Sequence, residues 1–305
     1  MTLIFLLINP LKSRLPASLR PLFLFPCLPS PSLRHGRQVF LFLISSLQLQ
    51  AGNDNLCGGP RALAMANTAV CLDDVWSARN NPAALAPIKQ TGAATAFENP
   101  YLLRALSIAG VALDIPTRAG TFGLAVSSFG SPLYRENNSI LSFGKKLGAR
   151  VSAGVGITYL NTVIGEGYGT QNGVSADAGL LVSITKNIKL GIHLINPTRA
   201  QLAHFSDERY PTTLQTGAAY TLSPFLLFCV EAEKDNLHPP VFRAGMEYAF
   251  LKQFFLRAGV SGNPALVCMG FGLRIGSLKM DFASSWHPVI GFYPGVGLAY
   301  NLSRS

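Results

Sequence analysis

The sequence predicts an all-β fold, a transmembrane antiparallel β-barrel of about 14 strands preceded by a short helix-like segment. Hydrophobic residues make up 49% of the chain and charged residues only 13%, against roughly 25% charged residues in average soluble domains. The longest uncharged apolar runs, 1–8 and 39–49, are shorter than the roughly 20 residues of a membrane-spanning helix. From residue 91 onward apolar residues alternate with small or polar ones. If the chain crosses a membrane, strands must do so.

The N-terminal region is predicted to precede the folded protein. Residues 1–33, rich in Pro, Leu and Arg, resemble neither a globular segment nor a signal sequence, so we interpret them as a non-native leader from a start placed too early. Residues 34–51, RHGRQVFLFLISSLQLQA, combine a basic start, an apolar core and a polar exit. This pattern is typical of a secretory signal peptide. We therefore expect export, with cleavage near Ala51.

The positive charge of the chain is concentrated before the predicted mature protein. The net charge is +10, but five basic and no acidic residues precede residue 52, which leaves 20 basic against 15 acidic residues. No run of basic residues that would follow a phosphate backbone occurs in that remainder. The sequence thus argues against a nucleic-acid partner.

Residues 91–305 are predicted to form one barrel domain. In a typical candidate strand Val155, Ile157 and Tyr159 point one way, while Gly154 and Gly156 point the other. Fourteen such strands run from 91–99 to 294–302, the second at 104–115 and the fourth at 138–146. Alternation also suits a soluble β-sandwich, but the even number and the length of the strands favour a membrane barrel.

The connections between the candidate strands alternate in length. Tight turns such as TKN and LSP follow the even strands, and longer stretches such as VIGEGYGTQNG follow most odd ones. Bacterial outer-membrane barrels have short periplasmic turns and longer outside loops. We therefore expect the bacterial outer membrane as the location, its lipid as a partner, and both termini on the periplasmic side.

Charged and polar residues on the second face of the strands are predicted to line the lumen. They are Arg150, Asp177, His193, Glu231, Glu233, Arg243, Glu247, Arg257, Arg274, Lys279 and Asp281. Because unpaired charge is costly inside a narrow barrel, we expect pairs across neighbouring strands. The spacing predicts Glu247 opposite Arg257, Glu231 near Arg243, and Asp281 near Arg274 and Lys279. Such a ladder either only satisfies the interior or guides a solute.

No catalytic or metal site emerges from the sequence. His193 beside Asp177 is either a buried hydrogen-bonded pair or part of a proton relay or hydrolase site, and no serine is singled out as a nucleophile. The histidines lack metal-ligand spacing, so no metal and no cofactor is expected. An outer-membrane enzyme remains a minor alternative.

The cysteines give one clear prediction. Cys229 and Cys268 face the lumen three candidate strands apart, beyond the roughly 7 Å at which a disulfide forms. They should be free thiols. Cys57 and Cys71 are compatible with a bridge or with two unpaired apolar residues.

Small residues on the lumen face leave space for a plug, a ligand or a neighbouring backbone. They include Gly154, Gly156, Gly270, Gly272, Gly295 and Gly297. The helix-like segment that would supply a plug lies at 60–86, before the first strand.

That segment lies in the stretch GGPRALAMANTAVCLDDVWSARNNPAALA, which resembles the N-terminal signature of the FadL-type outer-membrane superfamily, especially its PorV/PorQ-like branch of type IX secretion bacteria. The match covers 61–65, Asp73-Asp74, and Asn81-Pro82-Ala83 with Leu85. Ala66-Asn67 and Ala84 stand where the family has glycines. The resemblance implies a 14-stranded barrel in which residues 52–90 fold into the lumen as a hatch. Arg61, Asp73, Asp74, Asn81, Pro82 and Ala83 are then its motif residues.

Two functions follow from the resemblance. The leading hypothesis is a non-enzymatic barrel of the PorV/PorQ-like kind, a secretion accessory whose partners are secreted cargo or secretion-system proteins. The alternative is FadL-like transport of long-chain fatty acids or other hydrophobic small molecules. A transporter should have an apolar path past the hatch, whereas an accessory should have a closed lumen and a partner surface.

Overall fold

A computed structural model describes residues 57–165, 169–198, 201–203 and 206–302. The predicted leader (1–33), the predicted signal peptide (34–51) and the first five residues of the predicted hatch segment lie outside the described residues. Within the described ranges no helix is long and apolar enough to cross a membrane.

Among the described residues, 57–90 contain three short helical pieces, and the residues that follow are mainly in strands. The pieces are α1 (Pro60–Ala64), α2 (Ser77–Asn80) and a 3-10 helix (Pro82–Leu85). The strands are β1 (Gly92–Glu98), β2 (Ile108–Pro116), β3 (Thr121–Ser131), β4 (Tyr134–Lys146), β5 (Val151–Ile164), β6 (Gly169–Ser183), β7 (Ile188–Ile195), β8 (Gln201–Ala203), β9 (Ser206–Arg209), β10 (Thr213–Ser223), β11 (Leu226–Asp235), β12 (Val241–Ala249), β13 (Phe254–Ser261), β14 (Leu266–Ile275), β15 (Leu278–His287) and β16 (Gly291–Asn301).

Fourteen of these strands form one closed antiparallel barrel, which confirms the predicted fold class. Each strand pairs with its neighbours along the chain, β7 pairs with β10, and β1 pairs with β16 to close the sheet. β8 and β9 form a separate hairpin within the long connection between β7 and β10. Closure leaves no barrel strand with an unpaired edge.

Three local details differ from the prediction. The second strand begins at Ile108 rather than 104, because two 3-10 turns, Pro100–Leu102 and Arg104–Leu106, occupy the connection before it. The fourth strand begins at Tyr134 rather than 138, since β3 and β4 extend until only Pro132 and Leu133 separate them. The β8–β9 hairpin was not predicted, because its strands are too short to show a period-two pattern.

The two faces of the barrel differ in the way the alternation predicts. On β5, Val155 and Ile157 are 60% and 61% exposed, whereas Ser152 and Thr158 on the other face are buried. The same outward exposure of large apolar side chains recurs on every barrel strand, as at Phe122, Phe242 and Met269. A continuous apolar surface of this kind is unfavourable in water and suits a lipid environment.

The barrel has two distinct ends. The end that we call the turn end carries the six connections 117–120, 147–150, 184–187, 224–225, 250–253 and 276–277, together with the start of β1 and the end of β16. The opposite end, the loop end, carries the 99–107, 196–212 and 236–240 connections among others. Inside the barrel, residues 57–90, the described part of the hatch, pack against the wall.

Candidate functional site: the lumen and its hatch

The hatch is held against the barrel wall by apolar contacts. One cluster joins Trp76 and Leu85 of the hatch to Ile108 and Phe129 of the wall. A second joins hatch residues such as Met65, Val70 and Leu72 to Leu181, Ala219 and Cys229. A third joins Leu63 and Ala64 to Ala283. These side chains are buried, so the hatch packs as a small core within the lumen.

Glycines of the wall make room for the hatch backbone. A Cβ atom on Gly154 would lie 2.3 Å from the carbonyl carbon of Pro82, and one on Gly259 would lie 2.4 Å from that of Met65. Of the glycines singled out from the sequence, Gly295 and Gly297 also face the hatch, at Leu63 and Pro60. The space over Gly272 is instead taken by the wall side chains of Asp281 and Arg257.

The local sequence of the hatch explains its first turn. Pro60 stands at the start of α1, where its missing N–H leaves no hydrogen bond unmade. The preceding Gly59 has φ 88°, and a Cβ there would lie 2.4 Å from Cδ1 of Trp76. Ala66 and Asn67, which replace the glycines of the family signature, keep left-handed φ values of 54° and 59°. Ala66 therefore holds a conformation that costs about 1–2 kcal/mol.

Arg61 on α1 connects the hatch to the polar wall. Its Nη2 and Nε donate to the two carboxylate oxygens of Glu247 at 2.7 and 2.9 Å, and its Nη1 donates to Asp74 at 3.2 Å. Burial works against the charge on Arg61, yet Glu247 and Asp74 outweigh it and keep the pKa of the guanidinium above its ordinary value. We call the Arg61–Glu247 pair the latch.

The latch continues into a charged network on the wall. Arg257 donates to Glu247 at 2.6 Å and to Asp281 at 2.8 Å, and Lys279 lies 3.8 Å from Asp281. The predicted pairing of Glu247 with Arg257 is confirmed, as is the proximity of Asp281 to Lys279. Arg274 lies over the ring of Phe255 at 5.0 Å rather than pairing with Asp281, because it is exposed at the turn end.

A second pair of charges lies on β11 and β12. Arg243 donates to both oxygens of Glu233 at 2.7 and 3.0 Å, and its Nη1 lies 3.7 Å from Glu231. Glu231 is buried and accepts the backbone N–H of Val70 in the hatch at 3.0 Å. The expected proximity of Glu231 and Arg243 is present, although Glu233 is the stronger partner. Arg150, expected in the lumen, lies instead in the exposed 147–150 turn because β5 begins one residue later.

The two acidic residues of the hatch, Asp73 and Asp74, have different partners. Asp74 pairs with Arg61 of the hatch itself and also accepts the backbone N–H of Trp76 at 3.0 Å, which orients the start of α2. Asp73 pairs with Lys189 on β7 at 3.1 Å, in an exposed position. The two carboxylates therefore have different roles, one within the hatch and one between hatch and wall.

Asn81, Pro82 and Ala83 form the contact with β4, β5 and β6. The side chain of Asn81 donates to the carbonyl of Val70 at 2.7 Å and accepts the N–H of Ala83 at 3.0 Å. This accepted bond caps the 3-10 helix that starts at Pro82. Asn81 and Ala83 are fully buried, so this motif determines how the hatch folds back on itself.

The His193 and Asp177 side chains do not hydrogen-bond to each other. Asp177 accepts from Thr158 at 2.9 Å and from the N–H of Asn196 at 3.2 Å. His193 is 1% exposed, and neither ring nitrogen has a hydrogen-bond partner among the described residues. The pair thus lacks the base-to-orienter contact of a hydrolase. Within the described ranges, no three His, Cys, Asp or Glu side chains cluster as metal ligands.

All four described cysteines are free and buried, as predicted for Cys229 and Cys268. Of the two open alternatives for Cys57 and Cys71, the unpaired one is present. Cys57 donates to Glu98 at 3.4 Å, and Tyr293 donates to the same carboxylate at 2.6 Å.

A cavity of about 550 Å³ opens below the hatch at the turn end. It is lined on one side by Asp74 and Asp114 and on the other by Phe255, Arg274 and Lys279. The carboxylate of Asp114 has no hydrogen-bond partner among the described residues. The cavity is polar, and hatch residues such as Arg61 and Asp74 form part of its wall.

No protein-family model and no curated protein sequence matches the chain. Solved structures do match it. A FadL homologue of Pseudomonas aeruginosa is 12% identical at a TM-score of 0.61, covering 80% of this chain and 98% of that one. The Ralstonia pickettii toluene transporter TbuX is 14% identical at 0.59, with 81% and 98% covered, and the P. putida toluene transporter TodX is 11% identical at 0.63, with 81% and 99% covered.

The chain has the FadL-type barrel fold. Three residues of this FadL-type barrel were not identified from the sequence, namely Glu98, Lys189 and Tyr293. Lys189 pairs with Asp73 of the hatch, and Glu98 accepts from Tyr293 and from Cys57 of the hatch. The alternation on β1 places Glu98 on the same face as Ala94 and Ala96 and would have identified it. Nothing in the local pattern marks Lys189, because its partner lies 116 residues earlier.

Proposed function

We propose that the protein is an outer-membrane channel for hydrophobic small molecules that the hatch keeps closed. The observation that carries the proposal is the construction of the lumen, in which the hatch adds no strand to the barrel and contacts its wall through apolar side chains and a few ion pairs. Such a plug can move without breaking the sheet. The toluene transporters TbuX and TodX have the same fold, which supports this class of solute.

The latch is the natural point at which to test the proposal. Replacing Arg61 with Gln removes the charge that joins the hatch to Glu247, while Glu247 keeps Arg257 as a partner. Loss of a charged hydrogen-bonded contact costs about 1.5–3 kcal/mol, so we expect hydrocarbon flux to rise about tenfold or more. The measurement is uptake of toluene and of a long-chain fatty acid into proteoliposomes, with glucose as a water-soluble reference.

The control is Lys252→Gln, which removes a basic charge from the exposed 250–253 turn and leaves Glu247 and Glu231 with their partners. Flux of toluene or fatty acid should stay near the wild-type value in this variant. Absence of hydrophobic flux in both the wild type and Arg61→Gln would contradict the channel proposal. An equal rise in glucose flux would show a non-selective leak instead.

A second candidate is a secretion accessory of the PorV/PorQ-like kind. The hatch signature supports it, as does the dense packing of the hatch against the wall, which is expected of an accessory with a closed lumen. Under this candidate the liposomes take up neither toluene nor fatty acid. Cells that lack the protein would then retain a secreted protein that wild-type cells deliver to their surface.

A further inference from the structure

The turns at the turn end of the barrel carry charges of one sign only. The six turns, taken with two residues on either side, contain no Asp or Glu. Exposed basic residues stand there at Arg118, Lys145, Lys146, Arg150, Lys186 and Lys252. Lys89, just before β1, and Arg274, at the end of β14, add two more exposed charges at the same end.

These charges lack the partners that the interior charges have. Arg61, Arg243 and Arg257 all pair with carboxylates inside the lumen. None of the exposed basic residues of the turn end forms an ion pair with another residue in the described part of the chain. Like charges brought together without counter-charge repel one another. A partner that supplies negative charge would remove this repulsion.

The loop end is different. There Arg135 stands next to Glu136, and Lys234 stands next to Asp235. The two ends of the barrel therefore differ in the signs of their charges.

Apolar side chains are interleaved with the basic ones at the turn end. Leu147, Ile184, Phe225 and Phe250 are 66%, 45%, 54% and 61% exposed in four different turns. They extend the apolar band of the barrel wall to the level of the basic residues. Lys and Arg side chains in such a position lay their aliphatic stems on apolar surface and place their charges among headgroups.

We infer that the turn end is a binding surface for anionic phospholipid headgroups of the membrane leaflet at that end. Charge complementarity and continuity with the lipid-facing wall both favour this occupant. Each basic residue near an anionic leaflet should strengthen binding by up to about fivefold. The inference does not depend on what, if anything, passes through the lumen.

The test compares lipids retained by the full chain in nanodiscs of phosphatidylcholine with a minor fraction of phosphatidylglycerol. Native mass spectrometry should show phosphatidylglycerol enriched over its bulk fraction in the wild type, and high salt should reduce the enrichment. The variant K145Q/K146Q/R150Q, which removes three charges from one turn, should lower it by up to about fivefold per charge.

The matched control is R104Q/R135Q/K234Q, which removes three exposed charges from the loop end. It should retain the wild-type enrichment. Heat-modifiable migration in gels verifies that both variants fold. Absence of enrichment in the wild type, or equal loss in the two variants, would overturn the inference. Binding of polyglutamate without lipid enrichment would also overturn it, because the partner would then be an acidic polypeptide.

Discussion

At the scale of single residues, the hatch and the wall meet where the wall has no side chain. The contacts at Gly154, Gly245 and Gly259 bring hatch atoms to within 2.3–2.4 Å of where a Cβ would lie. None of these three has a left-handed φ, so their importance lies in close approach and not in backbone freedom. A methyl group at such a position must displace the hatch.

Replacing Gly154 with Ala should therefore destabilise the protein. The added Cβ would collide with the backbone of Pro82, and overpacking of this kind costs about 1–3 kcal/mol. The measurement is the free energy of unfolding in detergent micelles. Gly156→Ala on the same face of β5 is the matched control, since its nearest neighbour is the hydroxyl of Ser142 at 2.8 Å rather than backbone. Equal stability of the two variants would contradict this account.

At the scale of elements, the hatch depends on the barrel for its structure. α1 and α2 have five and four residues, far below the roughly 12–15 at which an isolated helix becomes stable. Their conformation is maintained by packing in the lumen and by the contacts of Arg61 and Asn81. Displacement of the hatch should thus expose residues that are otherwise inaccessible.

The thiols of Cys57 and Cys71 report such displacement. Both are buried. Burial raises the pKa of the Cys71 thiol to about 12, and burial together with Glu98 raises the pKa of the Cys57 thiol well above its ordinary value. Because the thiolate is the nucleophile, both should react slowly with maleimide at neutral pH. We expect Arg61→Gln to accelerate their alkylation, measured by mass spectrometry of the modified peptides.

Cys268 on β14 provides the internal reference in this experiment, since it is a buried wall thiol. Its alkylation should change less than that of the two hatch thiols in Arg61→Gln. Parallel acceleration at all sites would indicate loss of the barrel and not movement of the hatch.

At the scale of the whole molecule, barrel closure creates two chemically different ends. The turn end collects exposed basic residues from turns as far apart in sequence as those around Arg118 and Lys252, while the loop end mixes both signs. Short turns are expected on the periplasmic side. We therefore expect the turn end to face the periplasm and the loop end to face the exterior.

A single-cysteine labelling experiment checks the orientation. We expect Leu133→Cys, at the loop end, to react on intact cells with a maleimide that does not cross membranes. Gly148→Cys, at the turn end, should react only after lysis. Both positions are exposed, and the four described native cysteines are buried and contribute little background. The reverse pattern would invert the assignment of the two ends.

Much of the fold and part of the lumen network follow from local sequence. The period-two alternation is enough for the strand number and the outward face, because each strand repeats every second residue independently of its neighbours. The Glu247–Arg257 pair was predictable because a tight turn sets its register. The family signature pointed to the hatch, but not to its contacts.

Tertiary structure alone decided what the hatch touches and how the ends differ. Arg61 meets Glu247 across 186 residues of sequence, and no local pattern pairs them. The basic residues of the turn end are scattered along the chain and show no cluster in the sequence. They come together because antiparallel pairing of successive strands brings every second connection to the same end, and closure of the sheet arranges these connections in a ring. The plugged lumen and the charged rim are consequences of that closure.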